Sequence, residues 1–208
     1  MKKLTIILIF AGLLLRSNAQ SDNLQTETGF FSGFSHQDSY YPIVKKILFD
    51  SLSYYTDLRV VVMPSFSPEY MISLDSKDGK TYLTYRIAKQ QIWHFPKPDN
   101  DQIKCNNYRI LFDSSISKKI HELFFLAISK ARFDIRPSAV DGTSYIFITF
   151  ENGYGLIGGQ TWSPRTEKLS GLVAIAEWLN DCARNGSIVN KDKMMLKIND
   201  LIAKFNKI

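Results

Sequence analysis

The residue types that most often do chemistry form no complete catalytic pattern in this sequence. His121 and Glu122 begin the zinc-protease pattern, which needs a second histidine four residues after the first, but that position is Phe125. Because a catalytic zinc takes three protein ligands, we interpret His121 as a helix-surface residue. No serine stands in a Gly-x-Ser-x-Gly turn, and no glycine loop of the phosphate-binding type is present. The sequence therefore predicts no metal and no cofactor.

Four polar residues in predicted loops remain candidates for acid–base catalysis: His94, Asp99, Asp101 and Glu151. Imidazole and carboxylate groups transfer protons only when folding brings them within hydrogen-bond reach of the reacting groups. If two of them met in a pocket, the protein would be a secreted or periplasmic hydrolase. We keep that function as the alternative.

Cys105 and Cys182 are the only cysteines. Two cysteines in an exported protein are often paired. Their predicted positions, near the start of a strand and near the end of a helix, are compatible with the Cα separation of about 4.4–6.8 Å that a disulfide requires. A buried free thiol is an equally ordinary state of cysteine. A Cys105–Cys182 disulfide and two free thiols therefore both remain open.

The N-terminal segment predicts export. Two lysines precede an apolar run of 12 residues (4–15), and Ser17 and Ala19 form a small-x-small cleavage site. This arrangement is typical of a secretory signal peptide. The apolar run is also shorter than the roughly 20 residues that a membrane span needs. We predict that residues 1–19 are removed near Ala19 and that the mature chain is periplasmic or secreted, with no transmembrane segment.

The low net charge of the predicted mature chain argues against a nucleic-acid partner. Loss of the three basic residues in the signal peptide lowers the formal net charge from +6 to +3, and the remaining basic residues are dispersed along the chain. Nucleic-acid-binding domains usually carry a concentrated basic patch. We therefore expect no nucleic-acid partner.

Hydrophobic periodicity predicts the class of fold. Apolar residues recur at helical spacing in four segments, about 41–55, 115–132, 167–184 and 192–205. Period-two alternation or short apolar runs indicate six strands, about 59–63, 70–74, 83–87, 108–112, 143–150 and 154–161. Strands follow strands without a regular βαβ alternation, so we predict an α+β fold, a mainly antiparallel sheet packed against about four helices. Residues 20–39 are predicted to be an irregular arm and residues 40–208 a single domain.

The most distinctive motif is a glycine-rich hairpin. It begins with Asp141-Gly142-Thr143 and ends with Trp162-Ser163-Pro164, after which a helix is predicted. It is similar to a hairpin of small exported bacterial proteins without an assigned function, and the resemblance implies no activity. Turn and helix-cap chemistry accounts for these residues. In the alternative interpretation Trp162 and Arg165 belong to a partner surface, because aromatic side chains and arginine are favoured as anchors in interfaces.

Other aromatic residues lie in or beside predicted loops: Phe30, Phe31, Phe34, Tyr40, Tyr41 and Trp93. Large aromatic side chains are mostly buried, so caps on the core are the simpler interpretation. Several exposed together would instead indicate a partner or glycan site. We take Trp93, Trp162 and Arg165 as the candidate partner surface.

These observations favour an exported, non-catalytic binding protein that acts by protein–protein contact, an inhibitor or an immunity-type protein being one form of this function. Its expected partner is another exported or envelope protein. A subunit of an envelope assembly that docks through the arm at 20–39 fits the same observations.

Overall fold

The computed structural model describes residues 22–27, 30, 40–93, 103–133 and 141–207. Within these residues, seven strands form one sheet: β1 (Gln25–Thr26), β2 (Leu58–Pro64), β3 (Tyr70–Lys77), β4 (Lys80–Ala88), β5 (Cys105–Phe112), β6 (Thr143–Glu151) and β7 (Gly155–Trp162). The helices are α1 (Tyr40–Leu48), α2 (Ser114–Ser129), α3 (Glu167–Asn185) and α4 (Lys191–Asn206). The predicted fold, α+β with a mainly antiparallel sheet packed against about four helices, is confirmed. None of these helices is long and apolar enough to cross a membrane.

The strands lie in the order β1-β7-β6-β2-β3-β4-β5, and every neighbouring pair is antiparallel. Two hairpins, β3–β4 and β6–β7, flank β2. In the first, Lys77 pairs with Lys80 across a two-residue turn in which Asp78 and Gly79 both have positive φ, +52° and +72°. This backbone matches the twist of the strands and favours glycine. Because β6 pairs with β2, the chain's second hairpin extends the sheet formed by the first.

Side chains that alternate along β2 build two separate cores. Leu58, Val60 and Val62 enter a cluster with α2, α3 and α4, whereas Val61 and Met63 enter a second cluster with α1. All five are buried, as expected for a central strand covered on both faces. The molecule is therefore layered, with α1 on one face of the sheet and the other three helices on the opposite face.

Helix α1 is shorter than the sequence pattern predicts. The apolar stripe predicts a helix to about residue 55, but α1 ends at Leu48. The Arg86 side chain, from β4, donates hydrogen bonds to the carbonyl oxygens of Leu48 (3.1 Å) and Asp50 (2.8 Å), and Ser51 adopts φ +62°. A cation from the sheet thus satisfies carbonyl groups at the end of the helix, where intrahelical donors are lacking.

The tentative disulfide is wrong in this structure, where Cys105 and Cys182 are both free. Cys105 begins β5 and contacts the α1 cluster, and its thiol lies 3.7 Å from the carbonyl oxygen of Ile47. Cys182 lies on α3 and is buried in the opposite cluster. The sheet separates the two thiols, and burial raises the pKa of each one. Cys182 therefore serves as a small apolar side chain.

Candidate functional site

Four aromatic side chains group together at the end of the sheet where β6 turns into β7. Tyr54 and Tyr55 come from the segment between α1 and β2, Phe150 from β6, and Tyr154 from the β6–β7 turn. The three tyrosines are 58%, 63% and 78% exposed, in chain order. The Tyr54 hydroxyl lies 3.5 Å from the place that a Cβ on Gly155 would occupy, which sets it beside the turn that carries Tyr154. We call these four aromatic residues the tyrosine cluster.

Ring contacts order the tyrosine cluster. The Tyr55 and Phe150 centroids are 4.7 Å apart, those of Tyr54 and Tyr55 5.7 Å, and those of Tyr54 and Phe150 5.8 Å. The planes of each pair are inclined by 69° to 89°, the edge-to-face arrangement that aromatic quadrupoles favour. Each ring therefore restricts its neighbours, although the tyrosines stay largely in solvent.

A buried ion pair anchors the segment that carries Tyr54 and Tyr55. Arg59 donates a hydrogen bond to the Ser53 carbonyl oxygen (2.7 Å), pairs with Asp75 at 3.1 Å and contacts the Ser73 hydroxyl at 3.1 Å. Burial lowers the pKa of Arg59 and raises the pKa of Asp75, and the charge of each partner opposes the shift. The backbone just before the two tyrosines is thus fixed from inside the molecule.

His121, on α2, joins the same two segments. Its Nδ1 lies 3.0 Å from the carbonyl oxygen of Asp57, and its Nε2 lies 3.4 Å from the Glu151 carboxylate. The imidazole also stacks on Phe125, with ring centroids 6.2 Å apart. His121 therefore positions the loop before β2 against the β6–β7 turn.

The opposite end of the sheet carries the aromatic residues that the sequence analysis selected. Trp93, which follows β4, is 55% exposed, Arg165 is also exposed, and Trp162 is only partly exposed. Trp162 lies in β7, which is four strands away from β4 in the sheet order. Phe66, in the β2–β3 connection, is 81% exposed at the same end. Trp93, Trp162 and Arg165 therefore all lie at this end of the sheet, on segments that follow or belong to different strands.

Trp93 is held by a buried carboxylate. Glu69, which is fully buried, accepts hydrogen bonds from the Tyr40 hydroxyl (2.7 Å) and from the backbone N–H groups of Ile92 (2.7 Å) and Trp93 (3.1 Å). The Tyr40 and Trp93 rings pack edge to face with centroids 4.9 Å apart. Burial, together with the Glu69 charge, raises the pKa of Tyr40 well above its ordinary value. Tyr40 and Trp93 thus close the core at this end of the sheet.

Two cavities flank the start of α3, and neither combines the groups of an acid–base pair. One, of about 290 Å³, is lined by Thr143, Tyr145, Ser163, Pro164, Ser170 and Val173, and it contains no carboxylate or imidazole. The other, of about 240 Å³, lies between α3 and α4. Its two carboxylates, those of Glu167 and Asp200, are both bonded to the Lys204 ammonium.

Of the four candidate acid–base residues, only Glu151 lies among the described residues. His94, Asp99 and Asp101 lie outside them. Glu151 contacts His121 at the β6–β7 turn and lines neither of the two cavities. In the part of the chain that the structure describes, no three His, Cys, Asp or Glu side chains are grouped as a metal site.

The sequence pattern does not predict the tyrosine cluster. It places Tyr55 at the end of a helix, and it indicates only a hairpin connection around Tyr154. One usable signal was present, because Gly153-Tyr154-Gly155 places a large ring in a tight turn, where burial is difficult.

Comparison with known proteins adds no identity: no family model, curated protein or solved structure matches this chain.

Proposed function

We propose that this protein is an exported binding protein that acts by protein–protein contact without catalysis, and that the tyrosine cluster is its contact surface. The observation that carries the proposal is the exposure of Tyr54 and Tyr55, whose rings contact each other and Phe150, beside the turn that carries the exposed Tyr154. Its partner would be another exported or envelope protein, which the protein would inhibit, neutralise or recruit.

The chemistry of tyrosine supports this function. A tyrosine side chain offers a large contact area and a hydroxyl group, yet it has few rotatable bonds to immobilise on binding. Contacts with Phe150 already restrict Tyr54 and Tyr55 before a partner arrives. Such preorganisation lowers the entropic cost of association, and aromatic residues of this kind dominate the binding energy of many interfaces.

The geometry favours a protein over a small ligand. The cluster lies on a loop and a turn at the end of the sheet, and neither cavity at α3 includes it. Its rings also stand at steep angles to one another, so Tyr54, Tyr55 and Phe150 offer no common flat face on which a sugar ring could stack. A protein surface with its own apolar and polar groups fits such an uneven patch.

A binding experiment tests the proposal. The mature protein, residues 20–208, is immobilised and exposed to periplasmic and secreted fractions of the source organism. A second column carries the triple variant Tyr54→Ser, Tyr55→Ser and Tyr154→Ser. We expect the unmodified protein to retain a stoichiometric partner and the variant to lose it.

Phe133→Ser is the matched control, because Phe133 is 76% exposed and lies outside the cluster. The control should retain the same partner as the unmodified protein. If no stoichiometric partner is retained under several growth conditions, or if the triple variant binds it equally well, the proposal is wrong. Cleavage or turnover of a retained polymer by the unmodified protein would instead favour the hydrolase.

A further inference from the structure

The two edges of the sheet are finished differently. On one edge β1 contains only two residues, and the backbone of Arg132 covers it: the Thr26 N–H donates to the Arg132 carbonyl (3.1 Å), and the Arg132 N–H donates to the Leu24 carbonyl (2.9 Å). On the other edge β5 contains eight residues, and among the described strands it pairs with β4 alone. Such an edge presents a row of unpaired backbone groups to an incoming strand.

Two of the usual means of protecting a long edge, a proline and a bulge, are lacking in β5. It contains no proline, and its pairing with β4 runs without a bulge from Cys105 opposite Ala88 to Phe112 opposite Thr81. Four consecutive residues, 106–109, are exposed, and Leu111 is 63% exposed. The edge is therefore regular, long and accessible, as strand addition requires.

The hydrogen bonds of β4 show which groups of β5 face outward. The Ala88 N–H donates to Glu69, just before β3, whereas the next residue, Lys89, donates to Lys104, just before β5. Residues of an antiparallel strand alternate in this way between their two neighbours. The odd-numbered residues of β4 therefore make their backbone hydrogen bonds with the even-numbered residues of β5. The odd-numbered residues of β5, among them Asn107 and Arg109, make no such bonds with β4, so their N–H and carbonyl groups point away from the sheet.

The side chains of these odd-numbered residues share one face of the sheet. The Arg109 guanidinium lies over the Tyr82 ring, 4.0 Å from its centroid, and Leu111 lies two residues further along β5. An arginine that packs on an aromatic ring holds the N–H groups of its guanidinium in a fixed plane. In this orientation the guanidinium can donate two hydrogen bonds to one carboxylate. Strands β4 and β5 contain the basic residues Lys80, Arg86 and Arg109 and no acidic residue, and Lys104 precedes β5. Asp113, which follows β5, is paired with Lys191.

We propose that β5 is a docking edge for an extended, acidic segment of a partner protein, which adds to the sheet as an antiparallel eighth strand. The segment carries an apolar residue opposite Leu111 and, two positions later, Asp or Glu opposite Arg109. Backbone groups of Asn107, Arg109 and Leu111 supply the hydrogen bonds. This edge is separate from the tyrosine cluster, and the proposal does not depend on that surface.

Charge selects this occupant over a second copy of the chain. Two copies of the chain could form one continuous sheet if their β5 strands paired antiparallel, centred on the exposed residues 106–109. Each Arg109 would then lie opposite or diagonal to the Arg109 of the other copy, on the same face of the sheet. Like charges at these positions destabilise a strand pair. An acidic strand would convert the same contact into an attractive one.

A peptide screen tests the proposal with a proline variant. A displayed library of random decapeptides is selected on the unmodified protein and on Asn107→Pro. Proline removes one outward N–H and leaves the bonds to β4 in place, and edge strands accept proline when the missing N–H faces solvent. Asn107→Thr is the matched control, since it changes the same side chain and retains the N–H. We expect the selected peptides to carry the apolar-x-acidic pattern and to bind Asn107→Pro at least about tenfold more weakly than Asn107→Thr.

A charge reversal provides the second, independent readout. Peptides with the acidic residue should bind the Arg109→Glu variant about tenfold more weakly than they bind the unmodified protein. Replacing that acidic residue of the peptide by Lys should restore binding to the variant. If Asn107→Pro fails to fold, as judged by circular dichroism, this charge reversal alone decides. Failure to select any peptide, or selection of peptides that bind both variants like the unmodified protein, would overturn the proposal. A dimer of the unmodified protein that Asn107→Pro disperses in analytical ultracentrifugation would also overturn it, because a second copy would then occupy the edge.

Discussion

Aromatic residues lie at both ends of the sheet, but they have different structural roles at the two ends. At one end Tyr40 and Trp93 pack on each other above Glu69, a fully buried carboxylate whose bonds hold them to the core. At the other end Tyr54 and Tyr55 contact Phe150 and one another, and most of their surface stays in solvent. The first arrangement closes a core, and the second presents a surface.

The difference teaches that exposure alone does not identify a binding surface. Trp93 is 55% exposed, nearly as much as Tyr54 at 58%, but a buried polar group fixes the backbone of Trp93. The two ends differ in that the Tyr40 hydroxyl is itself bonded to the buried Glu69, whereas the bond from Arg59 that holds the loop of the tyrosine cluster goes to the backbone of Ser53 and to no ring. The rings can therefore be changed without removing what holds the fold together.

Removal of the Glu69 carboxylate should have the largest effect on stability. Glu69→Ala leaves the Tyr40 hydroxyl and the N–H groups of Ile92 and Trp93 without their acceptor in a buried site, and it should lower the free energy of unfolding by about 3 kcal/mol. Urea denaturation followed by tryptophan fluorescence measures the change. Glu69→Gln, which keeps one acceptor oxygen, should cost clearly less. Equal losses in the two variants would contradict the role of the carboxylate.

A substitution at Gly142 tests the packing of Trp162, which lies at the same end of the sheet as Glu69. A Cβ at Gly142 would lie 2.3 Å from a carbon of the Trp162 ring, and the backbone there has φ +152°. Gly142→Ala should therefore displace Trp162 and cost about 2 kcal/mol. Gly79→Ala is the control, because Gly79 has φ +72° and a Cβ there would meet no atom within 4 Å, so it should cost about 1 kcal/mol from backbone strain alone. A loss at Gly142 no larger than that at Gly79 would argue against the clash.

Asp113 should show a smaller, pH-dependent effect at the other end of the sheet. It caps α2, and hydrogen bonds from Ser115 and the Lys191 ammonium hold the pKa of this exposed carboxyl well below its usual range. Because the pKa is lower in the folded state, the ionised carboxylate stabilises the fold above 3.8, its ordinary value, and this contribution is lost as the pH falls further.

At neutral pH Asp113→Ala should cost about 1 kcal/mol, and Asp113→Asn, which keeps the cap, only a few tenths. Thermal unfolding between pH 7 and pH 2 measures both variants. The gap between the unmodified protein and Asp113→Asn should close as the pH falls, and a gap that stays constant would show that the charge of Asp113 contributes nothing.

The smallest effect on stability is expected at the tyrosine cluster. The triple variant Tyr54→Ser, Tyr55→Ser and Tyr154→Ser should change the free energy of unfolding by less than about 1 kcal/mol, because exposed side chains contribute little to folding. Urea denaturation under the conditions used for Glu69→Ala gives the direct comparison. A loss as large as that of Glu69→Ala would show that the tyrosines close a core as Tyr40 and Trp93 do, and the two ends of the sheet would no longer differ.

Local chemistry made several elements predictable. The apolar stripe of α2 and the alternating residues of β3 and β4 are read from neighbours in the chain, and these elements are present where the pattern places them. The end of α1 was not predictable, because Arg86, far along the chain on β4, satisfies the carbonyl groups of Leu48 and Asp50. The apolar pattern continues past that point and gives no sign of the interruption.

The sequence by itself determined the α+β class, most of its helices and strands, and the absence of a complete catalytic motif, since these depend on residue type and spacing. Only the tertiary structure decided which residues meet. It placed Cys105 and Cys182 on opposite faces of the sheet, and it brought Tyr54, Tyr55, Phe150 and Tyr154 to one end. The physical reason is strand order: β6 lies beside β2 through hydrogen bonds between residues more than 70 positions apart, and no local pattern encodes that pairing.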